Sequence, residues 1–375
     1  MRFLIISLWF VFYTPFIIAQ DKNDYRSIDQ YALDIPKEQA NTTLGIADYL
    51  NQHFDTDSKK VRAAYVWVIA NIKYDKDSIY RVILDEDRDE QISYSLKRRK
   101  GICENFAAIF SDICNKSGMK SFVVEGYTKE GGTIDKAGHA WSAVLVNNNW
   151  LLFDPAWDEG GIKGSMFAIP IKTNYFEVSP LDFIKTHLPI DPLFQFLSDP
   201  FSFKEFLKGH KIINNNAPYF NYADSIIAYE KSDTLTRYAN TLSRIESYGW
   251  PAHMVTTKLK QIKFEIEVLY EDRDMFYYNS AVADYNSAID TYNNFLRYRN
   301  NQFQPEKKQD DVIGMFNYIR RNVAAAMIKL DEVSHSKATL VLDTGDIQKK
   351  IDDLAANVKL QEAFFKNYMV SSREN

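Results

Sequence analysis

The run from His139 to Asp154 constrains this chain more than any other. His139, Trp141, Ala143 and Leu145 recur at every second position, the period of a strand with one face committed to a core. Asn147, Asn148 and Asn149 then supply turn residues, and Trp150 to Phe153 reads as the return strand that delivers Asp154. If Asn147 and Asn148 make a two-residue turn with positive φ, which asparagine tolerates, Val146 faces Asn149 and Trp141 faces Asp154. Asp154 then shares a face with His139, one diagonal step away and within reach of a side-chain hydrogen bond. A slip of one residue would send it to the opposite face.

Upstream, KGICENFAAIF places a cysteine at the mouth of a helix. Gly101 breaks what precedes it, Phe106, Phe110, Ile113 and Cys114 recur at helical spacing, and Gly118 offers a stop. A thiol at a helix N-terminus feels the positive end of the helix dipole, which favours the thiolate. Taken singly, a buried cysteine is a small core residue and a histidine or aspartate at a strand end is a local cap. Together, Cys103, His139 and Asp154 have the logic of a thiol nucleophile, its base and the group that orients the base.

The order Cys, His, Asp, set in GICENFA, GHAW and FDPAW, resembles the transglutaminase-like superfamily of papain-fold cysteine enzymes. YVWVIANIKYD upstream and FEVSPLDFIKTHLPIDPLFQFLSDP downstream further resemble the kyphoscoliosis-peptidase branch. The likeness runs over residues 60 to 206. It implies an α+β fold with a papain/transglutaminase-like core, a helix packed on an antiparallel sheet, and a covalent acyl-transfer chemistry at Cys103. It also implies that the segment carrying His187 belongs to this domain, where His187 is expected to be structural. In such sites an upstream side chain supplies an oxyanion donor beside the backbone N–H of the cysteine, and Trp67, Asn71 and Tyr74 are the candidates. An asparagine at 154 would keep a hydrogen bond to the ring while losing the charge, as papain-like enzymes manage with one, so Asp154→Asn is expected to be milder than loss of Cys103 or His139.

Around this centre the domain organisation reads as follows. Residues 1–19, MRFLIISLWFVFYTPFIIA, have an early arginine, an apolar block and a small residue before a polar shift, which is the form of a secretory signal peptide cleaved near Ala19 or Gln20. The protein is then exported, periplasmic or secreted; an uncleaved membrane anchor is the competing reading, and the mature chain has no other candidate transmembrane span. Residues 20–58 are expected to wrap the main domain at 59–210. Val61 to Ile72 is apolar on nearly every side and reads as a helix buried all round. Asp85 to Gln91 and the basic run Lys97 to Lys100 read as solvated loops, and Lys129 to Gly138 as a flexible loop delivering His139. A further strand is expected near Met166 to Ile171. Tyr175 to Phe206, rich in proline and aromatics, is expected to lie extended over the sheet.

With only two cysteines, the chain has no disulfide framework. Cys103 and Cys114 fall eleven residues apart on one helix, about 16 Å at helical rise, so both should be free thiols, with Cys114 inert in the core. The six histidines show no zinc-ligand spacing, and neither a metal nor another cofactor is expected. The net charge of -5 and the lack of a basic stripe give no argument for nucleic acid.

From 218 to 375 the pattern is helical. Tyr222 to Tyr248 reads as one helix. Pro251 to Asn301 reads as a second, out of phase across Glu271 to Asp274, with Tyr278, Ala281, Tyr285, Ala288, Tyr292 and Phe295 as a heptad seam. Helices carrying Val312 to Leu330 and Ile347 to Phe365 follow. The four suggest an all-α bundle or coiled coil, open to partner binding or self-association. The tyrosine row reads as packing rather than a sugar platform. The expected function is an exported enzyme that hydrolyses or transamidates peptide or glutamine carboxamide bonds through Cys103, His139 and Asp154, on a protein or peptide substrate. The competing reading is a non-catalytic envelope scaffold built on the same fold.

Overall fold

In the computed structural model, residues 25–76, 87–159, 171, 173–212, 219–333 and 342–374 are described. The expected signal peptide lies outside them, as does the expected strand near Met166 to Ile171 except for Ile171 itself. The chain divides into two compact units, one running through Glu230 and including 247–250, the other holding 231–246 and everything from Pro251 on.

The first unit is α+β. Three helices open it: α1 (Tyr25–Leu33), α2 (Thr43–His53) and α3 (Asp57–Asn71). Residues 25–58 do more than wrap, since Ile28, Ala32, Ile46 and Leu50 enter the core directly. Every residue of α3 from Val61 to Ile69 is buried, Arg62 included. Its guanidinium sits bidentate on the buried Asp29 at 2.7 and 2.8 Å, which is what lets a charge enter this core.

A two-residue strand, β1 (Lys73–Tyr74), pairs in parallel with β2 (Lys100–Gly101), and α4 (Arg88–Arg98) lies between them in sequence. The charged stretch around Gln91 and the basic run are therefore not loops. Asp89 and Glu90 stand in the first turn of α4 and Lys97 and Arg98 in its last, the arrangement a helix dipole favours. Arg99 closes the helix in the left-handed conformation. Arg98 pairs with the buried Asp75 at 2.9 Å, and Arg99 lies over the Trp67 ring, so half of the basic run holds the fold together.

The central helix α5 (Cys103–Lys116) lies against an antiparallel sheet of β3 (Ser121–Glu130), β4 (Thr133–Ile134), β5 (His139–Val146) and β6 (Asn149–Phe153). Phe106, Phe110, Ile113 and Cys114 are fully buried on the stripe read from the sequence. The hairpin register is also the one derived: Val146 pairs with Asn149, with Asn147 at φ 48° and Asn148 at φ 64°. The expected flexible loop at Lys129 to Gly138 is partly ordered, because β4 folds back on the end of β3.

Tyr175 to Phe206 is more than an extended cover. It contains the short helix α6 (Pro180–Phe183) and a strand, β7 (His187–Pro189), that pairs with β3 at Gly126 to Thr128; α7 (Phe203–Lys208) follows. The next stretch, read as one helix, is two: α8 (Tyr222–Lys231) and α9 (Thr234–Ser247), split where Asp233 caps the second by accepting from Thr236 N–H at 2.9 Å. The sequence division at 210–218 also shifts, because Ile226 and Tyr229 of α8 pack with Val124, Trp141 and Phe122 of the sheet.

In the second unit, α10 (Ala252–Asn300) is assigned unbroken over 49 residues, the stretch 271–274 included. Its second half, α11 (Gln309–Asp331) and α12 (Thr344–Glu374) share one apolar cluster. Ala281, Ala288 and Phe295 of the heptad seam are fully buried, with Tyr278 and Tyr285 packed beside them, so the tyrosine row is packing. That cluster draws on three helices rather than four. No helix among the described residues is long and apolar enough to cross a membrane.

Candidate active site

Each of the three candidate side chains comes from the first residue of an element or the residue just past one. Cys103 opens α5, where Asn105 folds back to accept from the Ile102 N–H at 2.9 Å. Gly101 permits this, since a Cβ there would stand 2.5 Å from the Asn105 Cβ. His139 opens β5, and its neighbour Ala140 packs against Cys103 and Ala107. Asp154 follows β6, and its pairing continues that of Ser142 with Phe153 to bring it opposite Trp141.

The three meet. His139 Nε2 lies 2.7 Å from Asp154 Oδ2. Cys103 is close enough to act on His139 as both a hydrogen-bonding and a charged partner. Asp154 as a carboxylate only accepts, so His139 Nε2 carries a hydrogen and the other ring nitrogen is left for the thiol.

Asp154 is fully buried, and all four of its acceptor contacts are N–H donors. Oδ1 accepts from the backbone of Ala156 at 3.0 Å and Trp157 at 3.1 Å. Oδ2 accepts from His139 and, at 3.1 Å, from His187 Nε2. Burial alone would raise its pKa, but the charge and hydrogen bonds of His139, then those of His187, hold it well below the usual carboxylate range. For His139, burial acts to lower the pKa; the Asp154 charge and hydrogen bond and the nearby Cys103 outweigh it and push the ring up to about 10. His187 moves the other way, since burial dominates the pull of Asp154 and keeps its ring neutral.

Sequence reasoning set His187 aside as structural, yet the structure brings it to Asp154. It arrives on β7, which lies close over Gly126: a Cβ there would come within 2.2 Å of the Leu188 carbonyl and 2.4 Å of the Trp141 ring. Trp157 lies against both histidines, with centroid distances of 5.6 Å to His139 and 4.6 Å to His187. Neither contact had a signal in the sequence beyond the adjacency of Trp157 to FDPA, because each depends on how β7 returns to the sheet.

Of the three oxyanion candidates, Tyr74 alone is brought to the sulfur. Its hydroxyl meets both the backbone N–H and the thiol of Cys103. Burial, then the neighbouring Cys103, pushes its pKa up to about 12, so it stays protonated and able to donate. Trp67 is buried under Arg99, and the Asn71 amide donates to the Trp67 carbonyl one turn back at 2.9 Å, so both are committed to their own helix and its cover. Cys114 is buried and free, and burial pushes its thiol well above the ordinary range. His139, Asp154 and His187 offer possible ligand atoms within 4.8 Å of one another. The Nε2 atoms of both histidines and Oδ2 of Asp154 are engaged with one another by hydrogen bonds.

A family model described as the transglutaminase-like superfamily matches residues 45–155. Kyphoscoliosis peptidase of Homo sapiens is 28% identical over 200 residues, which is 50% of this chain and 29% of that protein. Hillarin of Drosophila melanogaster is 22% identical over 213 residues, 52% of this chain and 25% of its own length. The chain thus matches under a third of either relative. The crystal structure of a TGase aligns over 64% of this chain and 55% of its own at 13% identity, with a TM-score of 0.26, too loose a superposition to bear on the fold. Over residues 45–155 the chain is thus similar to the transglutaminase-like superfamily, and over about half of its length to the kyphoscoliosis peptidases.

Proposed function

We propose that the protein is a cysteine-dependent acyl-transfer enzyme acting on a peptide or glutamine carboxamide. The observation that supports this is the relay itself: a buried, fully hydrogen-bonded Asp154 holds His139 by one ring nitrogen, and the other serves Cys103. The Cys103 thiolate, paired with the His139 imidazolium, attacks the carbonyl carbon and the carbonyl π pair moves onto oxygen. The Cys103 N–H and the Tyr74 hydroxyl stand beside the sulfur to donate to that oxyanion. When the C–N bond breaks, the leaving nitrogen takes the proton from His139 and a thioester remains. Water or an amine then attacks the thioester, His139 takes its proton, and Cys103 leaves as thiolate.

Alkylation tests the reading. Cys103 should react with iodoacetamide faster than a free thiol at mildly acidic pH, with Cys114 as the unreactive internal control, and Cys103→Ala should remove both labelling and any acyl intermediate. Reactivity at Cys103 no greater than that of a free thiol would leave the binding-scaffold reading in its place.

Export is part of the proposal and is supported by the leader-like run at residues 1–19; the mature N-terminus should then fall at Gln20 or Asp21 by sequencing. Self-association through the C-terminal helices is supported by the exposed Phe264 and Phe276 of α10, and sedimentation should find more than the monomer mass if it holds.

A further inference from the structure

The least expected contact in the first unit is the second histidine on Asp154. His139 and His187 both direct Nε2 at a single oxygen, Oδ2, at 2.7 and 3.1 Å. The tautomer of His187 follows from its partners. An ionised Oδ2 can only accept, so Nε2 carries a hydrogen, and a neutral ring then leaves Nδ1 to accept the one hydrogen of the Thr186 hydroxyl, nearer at 2.8 Å than the Phe183 carbonyl at 3.3 Å. Four rings surround it: Phe183 stacks at 4.0 Å between centroids, Trp157 lies tilted at 4.6 Å, and Trp141 and Tyr175 approach edge-on at 5.1 and 5.5 Å. Such a cage fixes the direction of the N–H without supplying charge.

We propose that His187 is a positioning residue of this site: by donating Nε2–H to the Asp154 oxygen that also holds His139, it shares that oxygen's charge and loosens its hold on the His139 proton. The proposal rests on the thiol-enzyme reading for its consequence, not for its geometry. Two donors on one oxygen compete, and a carboxylate that is better satisfied by others is a weaker base toward each. The loosening matters because His139 must give its proton to the leaving nitrogen. A ring held too tightly by Asp154 stabilises the thiolate but returns the proton slowly. Besides His187, the titratable groups bearing on His139 are Asp154 and Cys103; Tyr74 touches Cys103, and Asp158 and Tyr175 feel the Asp154 charge.

The test is a nitrogen NMR titration of the imidazoles in the full chain, which has only six histidines. In the unmodified protein His187 should be neutral through neutral pH and in the Nε2–H tautomer. In His187→Leu, which keeps apolar contact but removes the donor, the pKa of His139 should rise by about one unit. His187→Gln, which keeps an N–H donor, should bring it back toward the original value. An unchanged or lowered His139 pKa in His187→Leu would overturn the proposal, since a side chain that merely props the site can only weaken the pair. If His187→Leu fails to fold, the tautomer decides: a hydrogen on Nδ1 in place of Nε2 overturns it equally. Where a turnover assay exists, kcat in His187→Leu should fall by roughly threefold or more with KM unchanged. Failure of the thiol reading would show separately, as ordinary Cys103 alkylation in the unmodified protein, while the His139 titration would still report the sharing of Asp154.

Discussion

The two compact units bury very different things. In the first, the interior holds Asp29 with Arg62, Asp75 with Arg98, Asp154 with two histidines, and Asp158 accepting from Tyr65, Asn174 and Tyr175. In the second, the buried cluster is Ala281, Phe295, Phe316, Ile319, Leu354 and their like, and Asp274 is the lone buried polar or charged side chain among its described residues. Burying a charge costs free energy unless its partners are complete, so a unit that does it repeatedly has traded stability for fixed directions of donors and acceptors. The helical unit needs no such directions. Its seam of alternating large and small residues asks only for volume.

The comparison breaks hardest at Asp154. From the sequence asparagine is a milder change than loss of Cys103 or His139; in the structure four N–H groups converge on the carboxylate, and an amide would turn its own NH2 toward two of them. Asp154→Asn should therefore cost about 3 kcal/mol of stability near neutral pH and lower turnover by roughly a hundredfold or more. The pH dependence follows from His139. Its folded pKa is raised from 6.5 to about 10, so the stabilisation it draws from Asp154 is fully present below pH 6.5 and lost as pH rises through about 10. The gap in Tm between the native protein and Asp154→Asn should narrow over that window. A gap independent of pH would mean that the charge on His139 is not what Asp154 supports.

Phe316→Ala is the matching change in the helical unit. Phe316 is buried against Phe295 and Phe365, and removing it should destabilise that unit by about 3–5 kcal/mol. Proteolysis should then cut preferentially within 251–374, with the rate of Cys103 alkylation unchanged; a large fall in that rate would show that the two cores are not separate. Tyr74→Phe sits at the small end for stability. It removes one hydroxyl that meets Cys103, and should lower kcat by roughly tenfold to a hundredfold while Tm moves little. Unchanged kcat would return Tyr74 to packing against Phe106.

What the sequence determined by itself is local. The period of two, broken by Asn147 and Asn148, is enough to set the register of β5 on β6, because positive φ at both positions admits one kind of hairpin and one pairing. With that register, His139 and Asp154 had to share a face. Gly101 and the stripe from Phe106 likewise placed Cys103 at a helix start. The heptad seams of α10, α11 and α12 were legible for the same reason, since period and burial coincide within one element.

Tertiary structure decided the rest. His187 lies 33 residues from Asp154, and its place depends on β7 crossing Gly126, a pairing that no local pattern encodes. That Tyr74 reaches Cys103 and Trp67 and Asn71 do not follows from the parallel pairing of two-residue strands, β1 and β2, which sets Tyr74 opposite Gly101 and so beside Cys103. Periodicity reports which face of an element is buried. It does not report which distant segment buries it, and in this site the distant segment supplies a hydrogen bond to the carboxylate on which the histidine depends.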